Sequence, residues 1–220
     1  NDVVVGPYPG VSAINRAFIL LGGPGGFRSD ILVSDLASEG RLVQVQGQDT
    51  DVVGKLGEHV DSCGDFNGDG LADMLITDPL GGRDFEGTAS ILLGHRDLGQ
   101  TIDMIDLRVD TERRVVIHGE FAYDQNFYAT GVGDINGDGF SDIAIPGHPW
   151  SAMRHDYASA YVIFGGSSPI SGMPDRVSDS DVVLKFISEG WENLYGGKME
   201  FIADSDEMIP LTLEHAAKKR

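Results

Sequence analysis

The sequence predicts an all-β chain built from tandem repeats, and two observations lead to that prediction. Two nine-residue stretches of closely similar sequence, Asp65–Asp73 and Asp134–Asp142, begin 69 residues apart. Each is followed, at matching positions, by short runs rich in β-branched and aromatic residues and separated by Gly, Asp and Pro. A strand-rich period of this kind is typical of propeller blades or β-solenoid arrays. We therefore expect about three units of four short strands each in the 220-residue chain.

The strand predictions follow the repeat in order. A run follows each nine-residue stretch, and a nearby proline is expected to end it, because proline supplies no N–H to a ladder. These runs are Met74–Thr77 before Pro79, Ile143–Ile145 before Pro146, and the matching start of the chain, Asp2–Pro7. A second set of runs ends in glycine: Arg16–Gly22, Ala89–Gly94 and Ala160–Gly165. A third set comprises Val43–Gln46, Val115–Ile117 and Val182–Leu184. No sustained helical period appears before Leu211–Arg220, where we expect a short helix.

Each nine-residue stretch has the composition of a loop that holds a hard cation. Oxygen-bearing side chains occupy loop positions 1, 3, 5 and 9, and glycine occupies positions 4 and 6. Calcium takes about 6–8 oxygen ligands from carboxylates, amides, backbone carbonyls and water. Alternate residues of a tight loop can face one ion, with position 7 giving its backbone carbonyl. The predicted ligands of two calcium ions are Asp65, Asn67, Asp69, Leu71 and Asp73 in one loop and Asp134, Asn136, Asp138, Phe140 and Asp142 in the other.

Two alternative interpretations of the loops are less well supported. An EF-hand requires a bidentate Glu at position 12 and flanking helices, but position 12 is Ile76 in one copy and Ile145 in the other. A simple Asx-Gly turn explains one copy of D-x-N-G-D-G, since such turns are common in hairpins. Two copies in the same context favour a metal cage.

The combined order of these features resembles a known family. Leu56-Gly57, the D-x-N-G-D-G-x-x-D loop, the apolar strand with Thr77-Asp-Pro79 and the strand ending in Phe164-Gly165 look like the FG-GAP repeat of the integrin α-subunit β-propeller and its bacterial relatives. The resemblance implies four-stranded blades with a calcium ion in the loop between the first two strands of a blade. It also implies a propeller that usually has seven blades.

The repeat divides the chain into a single array of approximate units 2–72, 73–141 and 142–211, with a tail at 212–220. A third loop is expected to begin at Asp204–Met208, but it lacks both glycines and is expected to bind calcium poorly or not at all. Asp2 matches position 9 of a further loop. A closed propeller needs at least four blades. We therefore expect a partial propeller, as a fragment of a larger one, with self-association of chains as the alternative.

The composition narrows the range of partners. The net charge of −19 would repel phosphate backbones and anionic membranes, which argues against nucleic-acid binding. Only six of the 35 acids lie in the two loops, so calcium cannot neutralise most of the excess. Cys63 is the single cysteine, and no apolar run is long enough to span a bilayer. Because weak calcium cages saturate where calcium is millimolar, the expected location is extracellular or at the cell surface.

Catalysis is not expected. The six histidines form no H-x-x-x-H or H-E-x-x-H pair, and the chain has no G-x-S-x-G elbow. The acids Asp103, Asp106 and Asp110 are expected on a solvated linker between blades. We expect an adhesion module that binds a protein or glycan on a cell surface or matrix, with His148–Tyr157 as one candidate contact loop. The alternatives are an accessory domain of a secreted or surface enzyme and a structural subunit of a surface assembly.

Overall fold

A computed structural model of the chain describes residues 2–6, 16–23, 26–27, 30–47, 55–82, 85–100, 102, 104–107, 112–119, 129–147, 159–167 and 183–187. The predictions for Asp204–Met208, Leu211–Arg220 and His148–Tyr157 concern residues other than these. The described residues form an all-β fold of three four-stranded sheets with one short helix, which confirms the predicted fold class. They show no closed ring of sheets.

The three sheets repeat one arrangement of strands. The first sheet has the order β1 (Val3–Val5), β2 (Arg16–Leu20), β3 (Leu42–Gln46) and β7 (Met104–Asp106). The second has the order β4 (Val60–Gly64), β5 (Asp73–Asp78), β6 (Thr88–Leu92) and β8 (Arg114–His118). The third has the order β9 (Thr130–Gly133), β10 (Asp142–Gly147), β11 (Ser159–Ile163) and β12 (Val183–Ile187). Each sheet begins earlier in the chain than the corresponding sequence unit. β4 and β9 precede their loops, whereas the units 73–141 and 142–211 begin at the last loop residue.

The second sheet lies between the other two and is buried on both faces. Successive residues of a strand point to opposite faces. Leu75 accordingly belongs to a core shared with the third sheet, whereas its neighbour Ile76 belongs to a core shared with the first. All but one of the six residues of β5 are buried. Their near-continuous apolar run follows from this position in the stack.

The first strands of the second and third sheets carry the same irregularity. Both β4 and β9 pair antiparallel with the strand that follows the loop, and both pairs shift register next to the last loop residue. Gly64 and Gly133 lie at these bulges with φ of 67° and 71°, in the left-handed region that favours glycine. The bulge therefore sets the direction in which each loop leaves its sheet.

The helix prediction was wrong in one place. A helix, α1 (Val33–Ser38), lies between β2 and β3, and the sequence analysis did not predict it. Six residues are too few to show a helical period, and no side chain caps the helix at Leu32. The buried side chain of Leu36, which is 2% exposed, attaches the helix to the fold. Within the described ranges, no helix has the length and apolar content needed to cross a membrane.

The expected linker between blades was also wrong at its centre. Residues Met104–Asp106 form β7, which pairs parallel with β3 and places Ile105 in the core of the first sheet. Along the chain, β7 comes between β6 and β8, which both belong to the second sheet. The chain therefore leaves the second sheet after β6, adds β7 to the edge of the first sheet and then returns. Asp106 is part of this strand, whereas Asp103 and Asp110 lie outside the described residues.

One of the two prolines does not end its strand. β5 ends at Asp78, directly before Pro79 as predicted, but β10 continues through Pro146 to Gly147. Pro146 pairs with Ala160 of β11, whereas the ladder to β9 ends at Ala144. The strand can include the proline because it has a ladder on only one side at that position.

Candidate metal centre

Both predicted loops connect the first and second strands of a sheet. In the first loop, the carboxylate of Asp65 accepts hydrogen bonds from the backbone N–H groups of Asp69 at 3.0 Å and Gly70 at 2.9 Å. The amide oxygen of Asn67 also accepts from Asp69 N–H, at 3.1 Å, and Asp69 accepts from Leu71 N–H at 2.8 Å. The side chains at positions 1, 3 and 5 thus organise the backbone of their own loop.

The second loop repeats these four hydrogen bonds at the same positions and adds one, from Gly137 N–H to Asp134 at 2.7 Å. Asp134 accepts from the backbone N–H groups of Asp138 at 3.0 Å and Gly139 at 2.8 Å. Asn136 accepts from Asp138 N–H at 3.0 Å, and Asp138 accepts from Phe140 N–H at 2.9 Å. Sequence similarity between the loops therefore extends to their geometry.

Position 9 differs from the other positions because its carboxylate is fully buried. Asp73 and Asp142 are both 0% exposed. Each carboxylate accepts one N–H from position 2 of its loop and one from a glycine after the third strand. For Asp73 these donors are Phe66 at 2.8 Å and Gly94 at 2.7 Å. For Asp142 they are Ile135 and Gly165, both at 2.9 Å. Position 9 thus joins its loop to the body of the sheet.

Burial and neighbouring charges disfavour the ionised forms of the two position-9 carboxylates. Burial raises the pKa of Asp73 to about 6, the N–H groups of Gly94 and Phe66 partly oppose this, and the charge of Asp69 adds to the rise. Burial likewise raises the pKa of Asp142, and the charges of Asp138 and Asp134 contribute. A bound cation would remove this cost, because an adjacent positive charge favours the ionised carboxylate.

The glycines of the loops adopt a backbone conformation that favours glycine. Gly68, Gly70, Gly137 and Gly139 have φ of 76°, 83°, 78° and 94°. Residues with a Cβ rarely adopt this conformation. The side chain of Phe66 points away from its loop into the core, as expected, and Ala72 is exposed.

The two loops are in contact with each other. Ser141 N–H, at position 8 of the second loop, donates to the carbonyl of Asp65, at position 1 of the first, over 3.0 Å. Gly166 N–H donates to the carbonyl of Phe66 over 2.9 Å. The ring of Phe140 covers Gly68 so closely that a Cβ there would overlap it. This contact could not be predicted from the repeat, which places the loops 69 residues apart.

The chemistry of the donors fits calcium. Each loop offers three carboxylates and one amide oxygen, all hard ligands. Asp134 Oδ1 accepts two hydrogen bonds, from Gly137 and Asp138, whereas an oxygen that accepts one retains a second lone pair. Among the described residues, no three His, Cys, Asp or Glu side chains gather closely enough to hold a metal ion. The structure thus places the ten predicted residues on two matching loops, and their convergence on an ion stays a prediction.

The glycines that complete the site could not be recognised from the loop motif. Gly94 and Gly165 were identified only as the ends of strands, yet their N–H groups hold the position-9 carboxylates. The same bond occurs in the first sheet, where Gly22 N–H donates to Asp2 over 2.7 Å. The recurring spacing from position 9 to this glycine, 20 to 23 residues, was the available signal.

The architecture defines the class as an all-β repeat protein with a polar loop between the first two strands of two of its sheets. Comparison with known families then finds a match within one of these repeats. Residues 126–155 match the FG-GAP repeat, which confirms the resemblance inferred from the sequence. The matched stretch contains β9, the second loop and β10. No curated protein matches the chain significantly.

Proposed function

We propose that the chain is a calcium-binding, integrin-like β-propeller module in which the two ions have a structural role. The observation that carries the proposal is the repetition of one oxygen-rich loop, with the same hydrogen bonds to the N–H groups of positions 5, 6 and 7, at the same position of two sheets. Asp65, Asn67, Asp69 and Asp73 would hold one ion together with the Leu71 carbonyl. The equivalent residues Asp134, Asn136, Asp138, Phe140 and Asp142 would hold the other.

Calcium would contribute charge compensation and rigidity. Each loop brings three carboxylates into one turn, and the raised pKa of position 9 reflects the cost of keeping that group ionised. A divalent ion offsets this cost, and any ligand that binds only the folded state stabilises it by mass action. At a calcium concentration 100 times the dissociation constant, the gain is about 2.7 kcal/mol for one site.

Titration calorimetry with calcium tests the proposal directly. We expect two ions to bind to the unaltered chain and one to bind to Asp69→Ala or Asp138→Ala. The melting temperature should rise with calcium in all three proteins, and least in the two variants. Asp35→Ala removes an exposed acid of α1 and serves as the charge-matched control, which should still bind two ions. An unchanged melting temperature in calcium and in chelator would refute the structural role.

The biological role proposed for this module is adhesion outside the cell or at its surface. The FG-GAP match supports an integrin-like module, and the net charge of −19 argues against nucleic-acid partners. Because a repeat fold supplies surface rather than chemistry, we propose a protein or glycan partner and no catalytic activity. Binding to immobilised matrix proteins and to a glycan array, in calcium and in chelator, tests this role. Binding that survives calcium removal, or no binding to either class, would contradict it.

A further inference from the structure

We infer that the two loops bind calcium cooperatively, each promoting binding at the other. This inference rests on the proposed function, since it concerns how the two ions act together. Its basis is the direct contact between the loops. Two connections join them: hydrogen bonds linked through the backbone of Phe66 and of Gly165, and the packing of an aromatic ring against a glycine.

The first connection runs, through hydrogen bonds and the backbone between them, from one buried position-9 carboxylate to the other. Asp73 accepts a hydrogen bond from Phe66 N–H at 2.8 Å. The carbonyl of Phe66 accepts one from Gly166 N–H at 2.9 Å. The adjacent Gly165 N–H donates to Asp142 at 2.9 Å. Any ion that fixes one carboxylate therefore fixes peptide groups that hold the other. Phe66 and Gly165 are buried and Gly166 is half-buried.

The second connection joins the parts of the loops that would face the ions. Phe140 is the predicted position-7 ligand through its carbonyl, and its ring lies against Gly68 in the first loop. Ser141, the next residue, donates to the carbonyl of Asp65, the position-1 ligand of the first loop. Ordering of Phe140 and Ser141 around one ion would therefore restrict the backbone of the first loop before it binds.

Thermodynamic linkage makes the coupling reciprocal. If calcium at one loop raises affinity at the other, the reverse effect has the same factor. Couplings of this kind are typically about 5–150-fold. Part of the effect is entropic, because a loop that its neighbour has already ordered loses less freedom when it binds.

The experiment compares binding constants from calorimetry. Asp69→Asn and Asp138→Asn each weaken one site while keeping an oxygen that accepts the N–H of Leu71 or Phe140. These variants give the affinity of each remaining loop alone. For independent loops, the product of the two stepwise association constants of the unaltered chain equals the product of the two single-loop association constants. We expect the measured product to be at least about fivefold larger.

A second pair of variants tests the route. Phe140→Ala keeps the backbone carbonyl but removes the ring from Gly68. It should reduce the excess, which is the ratio of the measured product to the product for independent loops, at least about twofold. Met104→Ala is the control, because Met104 is a half-exposed apolar side chain of β7 that lies outside both loops. It should leave the excess unchanged. If Phe140→Ala does not fold in chelator, Phe140→Leu replaces it.

Amide hydrogen exchange gives an independent readout. In Asp138→Asn, where calcium occupies the first loop, exchange at Ser141 and Gly166 should slow when calcium is added. Equality of the two products within twofold would refute the coupling, even with two ions bound. An unchanged excess in Phe140→Ala would refute the aromatic route. Absence of calcium binding to the unaltered chain would refute the proposed function itself, which separates the two failures.

Discussion

Replacement of Phe66 by alanine is expected to separate the second and third sheets more than any loss of a metal ligand would. Phe66 occupies position 2 of the first loop and is 0% exposed. It lies in a core that contains Leu75 and Ile91 of the second sheet and Ile143 and Tyr161 of the third. The side chain thus fills the space between two sheets, and its removal leaves a cavity there.

The expected size of the effect follows from burial. Phe→Ala changes at fully buried sites cost about 3–5 kcal/mol. For a chain of this length, about 1 kcal/mol corresponds to a shift of roughly 2–4 °C in the melting temperature. We therefore expect Phe66→Ala to lower that temperature by about 6–20 °C, in calcium and in chelator alike, because packing does not depend on the ion.

The matched control is the same position in the second loop. Ile135 is only half-buried, so Ile135→Ala should cost clearly less. Thermal unfolding followed by circular dichroism, with urea unfolding to obtain free energies, measures both variants. If Phe66→Ala costs less than about 1.5 kcal/mol, or no more than Ile135→Ala, then this side chain does not hold the two sheets together.

Three further predictions concern protonation, close packing and the added strand. The pKa of Asp73 in the fold, about 6, lies above its ordinary value of 3.8, so the folded chain binds a proton more tightly. In chelator the melting temperature should therefore rise as the pH falls from 7 towards 4, whereas in calcium it should fall because protons displace the ion; a fall in chelator would contradict this. Gly165→Ala should lower the free energy of unfolding by several kcal/mol, because its Cβ would lie 2.6 Å from the Phe66 carbonyl. Gly166→Ala, with nothing within 4 Å of its Cβ, should be nearly neutral. Equal melting temperatures of the two variants would refute this packing. Ile105→Ala should cost about 2–4 kcal/mol in urea unfolding, and the half-exposed Met104→Ala less than 1, unless β7 does not pack on the first sheet.

Local patterns in the sequence predicted most strands and the position of the loops. Apolar runs such as Met74–Thr77 and Ala89–Gly94 become strands because they are buried from both sides, which their composition already indicates. The strands ahead of the loops were harder to predict. β9, with the sequence Thr-Gly-Val-Gly, has low β propensity and forms because β10 pairs with it and β4 packs beside it.

The candidate site was predictable in its residues but not in its connections. The alternation of oxygen-bearing residues and glycines located both loops, because those residue types are required there by chemistry and by backbone conformation. The contact of Phe140 with Gly68, and the role of Gly165, depend on how two sheets are stacked. Stacking brings together residues that are distant in the chain, and no local pattern encodes that distance.

The crossing of β7 to the first sheet has a consequence for synthesis on the ribosome. β3 ends at Gln46, but its parallel neighbour is complete only at Asp106, 60 residues later. At a synthesis rate of about 5–20 residues per second, the outer edge of β3 stays uncovered for roughly 3–12 s. During that interval the nascent chain presents an open strand edge to other polypeptides. β7 can cover this edge only after most of the second repeat has been translated.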